Sequence, residues 1–325
     1  MAGCRRALSR GLQGGVRGGA CIVNEAGVLI VGGGFLGRAL ALKLAGEGRR
    51  VSVLSPRAED GPWPAGIAAV NGRQEDRALA SRLLDGHETV IHAAWGTTPG
   101  SSAGRPELEA TAGLMPFLAF LETVQRFPER RLFFLSSGGT VYGEAGPQPA
   151  DENRPLRPLS CHGAGKASAE AFLAARAART VILRPSNIYG PGQGLRSGFG
   201  VVRHLLRCAI EDQPFQMWGD GAQMRDYLFV DDFAEAVMRL IEIPGVSGVF
   251  NLGSGAGTPL RELIGQVEGV AGRAIRVERR PPRPGDVGRI LLDIRRIRQA
   301  AGWSPAASLA EGLAGTLRWL EEADK

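Results

Sequence analysis

A short apolar run, Val28-Leu29-Ile30-Val31, passes directly into Gly32-Gly33-Gly34-Phe35-Leu36-Gly37 and then into a stretch with helical apolar spacing. Strand, glycine loop and helix in that order leave few folds open. Gly32, Gly34 and Gly37 form a G-x-G-x-x-G pattern. The first glycine permits a tight turn, the second lets a pyrophosphate approach the backbone, and the third lets helix and strand pack closely. The helix start offers free N–H groups and a positive dipole end. A dinucleotide-binding loop is expected here, with Phe35 and Leu36 inside it; a purely structural glycine turn is the competing reading.

The chain after this loop repeats the strand–helix theme. Phe35–Glu47 reads as an amphipathic helix, Val51–Leu54 and Ile67–Val70 as strands, and Thr89–Ala93 as a fourth strand. A helix is expected over Glu107–Arg126, a fifth strand over Arg131–Leu135, a helix through Lys166 to about Ala178, and a sixth strand over Thr180–Leu183. Such alternation means parallel strands with right-handed crossovers, an α/β doubly wound sheet of the Rossmann type. We expect residues 28–185 to form the nucleotide-binding domain, with segments near 225–252 returning to it, and residues 186–325 to form mostly a smaller C-terminal substrate-binding domain.

Composition narrows the class. Of 325 residues, 44% are hydrophobic and 22% charged, as in ordinary globular chains rather than disordered ones. No run reaches the roughly 18 apolar residues of a membrane span. Cys4, Cys21, Cys161 and Cys208 show neither disulfide nor zinc spacing, and His87, His92, His162 and His204 show no ligand spacing, so no metal is expected. A reducing, cytoplasmic location is the simplest reading. The net charge is +6, and residues 1–27 hold four arginines against one glutamate. That stretch reads as a disordered extension, or as a start placed ahead of the true one near Val28; a transit peptide is the alternative. Elsewhere acids and bases are mixed along helices, which argues against nucleic acid as a partner.

The expected cofactor is NAD or NADP. NAD-selective folds usually end the second strand in an acid that bonds the ribose 2′-hydroxyl. Here the strand ends Val53-Leu54-Ser55-Pro56-Arg57. Ser55 is not an acid and Arg57 can meet a 2′-phosphate, so the pattern leans toward NADP or dual use. Arg57 as a solvated loop residue is the bland alternative.

Further segments carry a likeness when taken in order: Val90-Ile91-His92-Ala93-Ala94, Phe134-Leu135-Ser136-Ser137-Gly138-Gly139-Thr140-Val141-Tyr142-Gly143, Leu183-Arg184-Pro185-Ser186-Asn187-Ile188-Tyr189-Gly190-Pro191-Gly192, Trp218–Tyr227, Phe250–Gly255 and Arg283–Val287. Together they resemble the extended short-chain dehydrogenases/reductases of the NDP-sugar epimerase/dehydratase type, such as UDP-glucose 4-epimerase, over Val28 to about Leu320. The resemblance implies an NAD(P)-dependent enzyme that acts through a 4-keto sugar, with Ala93 and Ala94 beside the cofactor. It implies a tyrosine base in Tyr-x-x-x-Lys, where the lysine lowers the tyrosine pKa and holds the nicotinamide ribose. A spacing of four puts both on one helical face.

The chain departs from that pattern twice. In Ser160-Cys161-His162-Gly163-Ala164-Gly165-Lys166, His162 stands at the tyrosine position. Lys166 is kept, one of only three lysines in the chain. Gly138 stands at the usual Ser/Thr position, four before Tyr142, which leaves Ser137 or Thr140 to take its part. His162 is open to three readings. It is a general base, since imidazole titrates near neutrality, although Lys166 would weaken it. It marks a protein that binds cofactor and sugar nucleotide without turnover. Or it is structural.

The resemblance also places Asn187, Arg225, Arg283 and Asp286 on the nucleotide half of the substrate, and Gln216 and Trp218 on a strand beside the base. Core packing for Trp218 and surface charge for the arginines are the alternatives. A sugar nucleotide is the expected partner. The Glu107–Arg126 and His162–Ala178 helices are expected to pair in a homodimer, with burial inside a monomer as the competing explanation. An NADPH-dependent keto-sugar reductase and a catalytically silent dinucleotide-binding protein remain the alternative functions.

Overall fold

The computed structural model describes residues 27–58, 62–175, 179–195, 200–282 and 287–323. The chain runs β1 (Val28–Val31), α1 (Phe35–Gly46), β2 (Val51–Ser55), β3 (Ile67–Asn71), α2 (Arg77–Asp85), β4 (Thr89–His92) and α3 (Pro106–Leu108). A π-helical segment (Glu109–Leu114) leads into α4 (Met115–Val124), β5 (Arg131–Leu135), α5 (Gly138–Val141), α6 (Cys161–Ala174), β6 (Thr180–Pro185) and β7 (Asn187–Tyr189). Then come α7 (Val201–Glu211), β8 (Phe215–Trp218), β9 (Met224–Phe229), α8 (Val230–Glu242), β10 (Gly248–Leu252), β11 (Gly257–Pro259), α9 (Leu260–Ala271), β12 (Val277–Arg280), α10 (Arg295–Ala301) and α11 (Leu309–Ala323).

Seven strands form one parallel sheet in the order β10-β6-β5-β4-β1-β2-β3. Its strands are apolar on both faces because helices cover both. Val28, Ile30, Val53, Ile91 and Phe133 point to one core with α1 and α8; Leu29, Val31, Leu54, Val90, Leu132 and Phe134 point to the other with α2, α4 and α6. Each fully buried Val, Leu or Phe contributes roughly 1.5–3 kcal/mol relative to exposure. Strand order reverses between β4 and β1, the place where doubly wound sheets bind ligands beyond their carboxyl ends.

The later chain divides its elements. α8 packs on α1 and β10 completes the large sheet, whereas β9 joins β11 and β7 in a three-stranded sheet. β8 pairs with β12. Leu205, Leu206, Leu263, Val267 and Leu313 gather α7, α9 and α11 into a separate core. Residues 1–26, which hold nearly all of the expected extension, lie outside the described residues, as do 176–178 at the expected end of α6.

The helix expected over Glu107–Arg126 runs without a gap from Pro106 to Val124 but takes π geometry over Glu109–Leu114. Pro116 has no N–H to give the Ala112 carbonyl, and the Met115 N–H reaches back to Ala110 O, a π-type step. The Ala112 carbonyl instead lies against Gly96, where a Cβ would stand 2.2 Å from it. Such π segments often sit at functional sites. This one carries buried Glu109.

Candidate active site

The glycine loop has the geometry its sequence requires. Gly32 adopts φ +108°, and a Cβ there would meet the Ala94 backbone N at 2.6 Å. A Cβ on Gly37 would fall 1.8 Å from Gly32 O. A Cβ on Gly34 would meet nothing within 4 Å, so open space lies over the loop. Gly34 caps α1 with no side-chain hydrogen bond, which leaves the first N–H groups of the helix to a ligand. Phe35 and Leu36 begin α1 half-buried, and Ala93 and Ala94 follow β4 half-buried. This cradle fits a dinucleotide pyrophosphate. Ser55 ends β2 and takes the Arg57 backbone N–H at 3.3 Å; the Arg57 side chain is exposed.

One turn apart on α6, His162 and Lys166 are 8% and 5% exposed. Ser160 caps this helix through the Gly163 N–H. Lys166 Nζ donates to Leu135 O at 2.7 Å, at the carboxyl end of β5, and lies 3.9 Å from the centre of the Trp95 ring. Burial pushes the Lys166 ammonium down to about 7, against the pull of Glu109 and Glu170. Burial, then Lys166, pushes His162 down to about 4, against Glu109, so its ring is neutral at physiological pH.

The sequence contains three tyrosines, and none is poised as a base. Tyr142 donates to Asn251 Oδ1 at 2.7 Å and accepts from Arg184 Nη1 at 2.8 Å; burial pushes it up to about 12. Burial likewise pushes Tyr227 up to about 12, and raises Tyr189, whose hydroxyl donates to Leu309 O. Gly138 cannot be exchanged for a serine in place. Its Cβ would stand 2.6 Å from Leu292 Cδ1 and 2.8 Å from Arg184 O. Ser137, half-buried, precedes α5 without capping it, and Thr140 Oγ1 is buried with no hydrogen-bond partner among the described residues.

Three residues join this site that sequence reasoning missed: Trp95, Thr97 and Glu109. Trp95 Nε1 donates to Glu109 Oε1 at 2.8 Å and Thr97 Oγ1 donates to Glu109 Oε2 at 2.6 Å. His162 Nδ1 lies 3.3 Å from Thr97 Oγ1 and 3.8 Å from Glu109 Oε1. Burial alone would raise the Glu109 carboxyl, but hydrogen bonds from Thr97, Ser102 and Trp95, with His162 nearby, hold it below the usual carboxylate range. Between Glu107 and Glu122 it is the one charged residue, just before Gly113 and Pro116, and that was the available signal.

The expected substrate residues are spread over several elements. Asn187, on β7, donates to Asp226 O at 3.0 Å, and its side chain is near Gly139. Arg225 stands on the adjacent strand β9, half-buried, with Nη1 bonded to Met224 O at 2.9 Å. Gln216 is exposed and Trp218 half-buried on β8, opposite Glu278 and Arg280 of β12. Arg283 and Asp286 lie outside the described residues. Among the described residues no cluster of three His, Cys, Asp or Glu is placed to hold a metal ion, and no helix is long and apolar enough to cross a membrane.

Comparison with known proteins gives consistent likenesses. The profile of the NAD dependent epimerase/dehydratase family matches residues 28–253. A UDP-glucose 4-epimerase of Mycolicibacterium smegmatis is 33% identical over 238 residues, covering 71% of this chain and 75% of the relative. A dTDP-4-dehydro-6-deoxyglucose reductase of Escherichia coli is 29% identical over 303 residues, 88% of this chain and 95% of the relative. The crystal structure of a Thermus thermophilus UDP-glucose 4-epimerase in complex with NAD superposes with a TM-score of 0.84 at 31% identity, over 91% of this chain and 99% of that one.

Proposed function

Because the chain belongs to the NAD-dependent epimerase/dehydratase family, we propose that it epimerises a nucleotide sugar at C4 through a 4-keto intermediate, with His162 as the base. One observation carries this reading. His162 and Lys166 lie buried on one face of α6, and Lys166 reaches the carboxyl end of β5. That is the end of the sheet from which the Gly32–Gly37 loop opens. NAD, when bound, supplies a hydride acceptor that can return the hydride.

The chain's own groups do the rest. The N–H groups at the start of α1 hold the pyrophosphate, and Lys166 donates to the nicotinamide ribose. Neutral His162 takes the proton of the sugar hydroxyl and later gives it back. Ser137 or Thr140 supplies the hydroxyl that Gly138 lacks. Asn187, Arg225, Arg283 and Asp286 hold the nucleotide, with Gln216 and Trp218 on the strand beside its base; arginine suits phosphate oxygens through charge-assisted bonds. NADP is a second cofactor candidate because of Arg57.

The reading extends to a cytoplasmic homodimer. Met115 on α4 and Phe172 on α6 are 58% and 50% exposed, apolar surface suited to helix pairing. The described cysteines, Cys161 and Cys208, are free thiols, which suits a reducing compartment. Gly163 and Gly165 of α6 face inward, against Thr140 O and Glu109.

Incubation of the full chain with UDP-glucose and NAD, followed by proton NMR, is expected to give the C4 epimer without net formation of reduced cofactor. Net cofactor oxidation with a keto sugar would favour the reductase reading, which the similar reductase motivates. Stabilisation by NAD without turnover of any nucleotide sugar would favour a silent binding protein.

A further inference from the structure

The surroundings of His162 imply more about how it works, and this inference rests on the proposal that His162 is the base. The Thr97 hydroxyl has one proton and lies 2.6 Å from Glu109 Oε2 and 3.3 Å from His162 Nδ1. Glu109 is held ionised, so it can only accept. The Thr97 proton therefore goes to Glu109, and its oxygen is left to accept from Nδ1. Glu109 Oε1, 3.8 Å from the same nitrogen, is also an acceptor. Both groups facing Nδ1 require a proton on it. A neutral imidazole carries only one, so Nε2 is bare.

The backbone around the carboxylate makes room for it. A Cβ on Gly165 would stand 2.5 Å from Glu109 Oε1, and one on Gly113 3.0 Å from it. Glycine at both positions makes the space. Trp95 ties the arrangement to Lys166: its N–H bonds Glu109 while its ring face carries the ammonium. The charged groups around the imidazole are Glu109 from the π-helical segment and Lys166 from α6; Glu170 follows Lys166 but is paired with Arg184.

We propose that Glu109 and Thr97 are positioning residues that lock His162 in its Nδ1–H tautomer and leave Nε2 as the proton acceptor. When the sugar O–H bond breaks, its proton forms Nε2–H. The imidazolium keeps its Nδ1–H on Thr97, stabilised by the Glu109 carboxylate, which itself stays unprotonated. On return the same proton leaves Nε2. The logic is that of a carboxylate orienting a catalytic histidine, with a hydroxyl interposed.

The test is nitrogen-15 NMR of the histidine rings in the full chain at neutral pH, with His162→Gln identifying the His162 signals. Wild type is expected to show the Nδ1–H pattern for His162. Thr97→Val and Glu109→Gln are each expected to move it toward Nε2–H or a mixture and to lower kcat roughly 10–100-fold with little change in KM. Thr97→Ser is expected to restore both readouts. Glu109→Gln is expected to shift the acid limb of kcat/KM to lower pH, because the carboxylate favours the imidazolium. An Nε2–H tautomer in wild type, or an unchanged tautomer in both variants, overturns the inference. If Glu109→Gln fails to fold, Thr97→Val and Thr97→Ser decide alone. An Nδ1–H tautomer that responds to the variants, in a protein that turns over no sugar nucleotide, upholds the positioning and overturns the epimerase reading instead.

Discussion

His162→Gln is expected to lower kcat for nucleotide-sugar epimerisation by roughly 10²–10⁴-fold, the range one acid–base group contributes. Glutamine keeps the approximate size of the ring and can still meet Thr97, so the fold and the NAD-induced rise in melting temperature should persist. It cannot take a proton at neutral pH. No tyrosine can replace the lost base: Tyr142 and Tyr227 are pushed up to about 12 and Tyr189 is raised as well, all by burial. Steady-state kinetics beside a thermal melt with and without NAD checks this. Full activity in the variant would remove His162 from the mechanism.

Acid is expected to destabilise the protein strongly. Burial, then Lys166, pushes His92 down to about 3, and the same causes push His162 down to about 4. Both rings titrate near 6.5 in the unfolded chain. Between pH 6.5 and about 4 the unfolded state thus binds up to about two more protons at these sites than the folded state. Stability is fully present above about pH 6.5 and falls as pH falls, by about 1.4 kcal/mol per pH unit for each such proton. The loss from each histidine is on the order of 3 kcal/mol by the acid end of that window. Urea unfolding at pH 7 and pH 4.5 measures it, and His162→Gln should reduce the fall by roughly its own share. His92→Gln is a harsher probe, since His92 Nε2 lies 2.6 Å from Gln74 Oε1. Stability flat from pH 7 to 4.5 would show that these rings are not buried neutral.

Much of the nucleotide half of the fold was legible in the chain. Short buried runs such as Val28–Val31 and Thr89–His92 are strands because both faces of a parallel sheet are covered. Gly32 and Gly37 declared the loop because no other residue fits their contacts. The site was legible only in part. His162 and Lys166 stand four apart on one helix, so local periodicity placed them together. Thr97 lies 65 residues from His162, and Glu109 meets the ring from a turn of π rather than α geometry. Contacts set by such a backbone irregularity leave no periodic trace. The steric closure of Gly138 by Leu292, over 150 residues later, is equally non-local.

The most direct test of the central claim is the fate of the hydrogen at C4. UDP-glucose deuterated at C4 would be incubated with the protein and NAD, and the product read by NMR and mass spectrometry. Epimerisation through a 4-keto sugar predicts that the epimer keeps its deuterium at C4 and that no reduced cofactor accumulates. Loss of the label to solvent or its build-up in released reduced cofactor would contradict the account, as would complete failure to form an epimer.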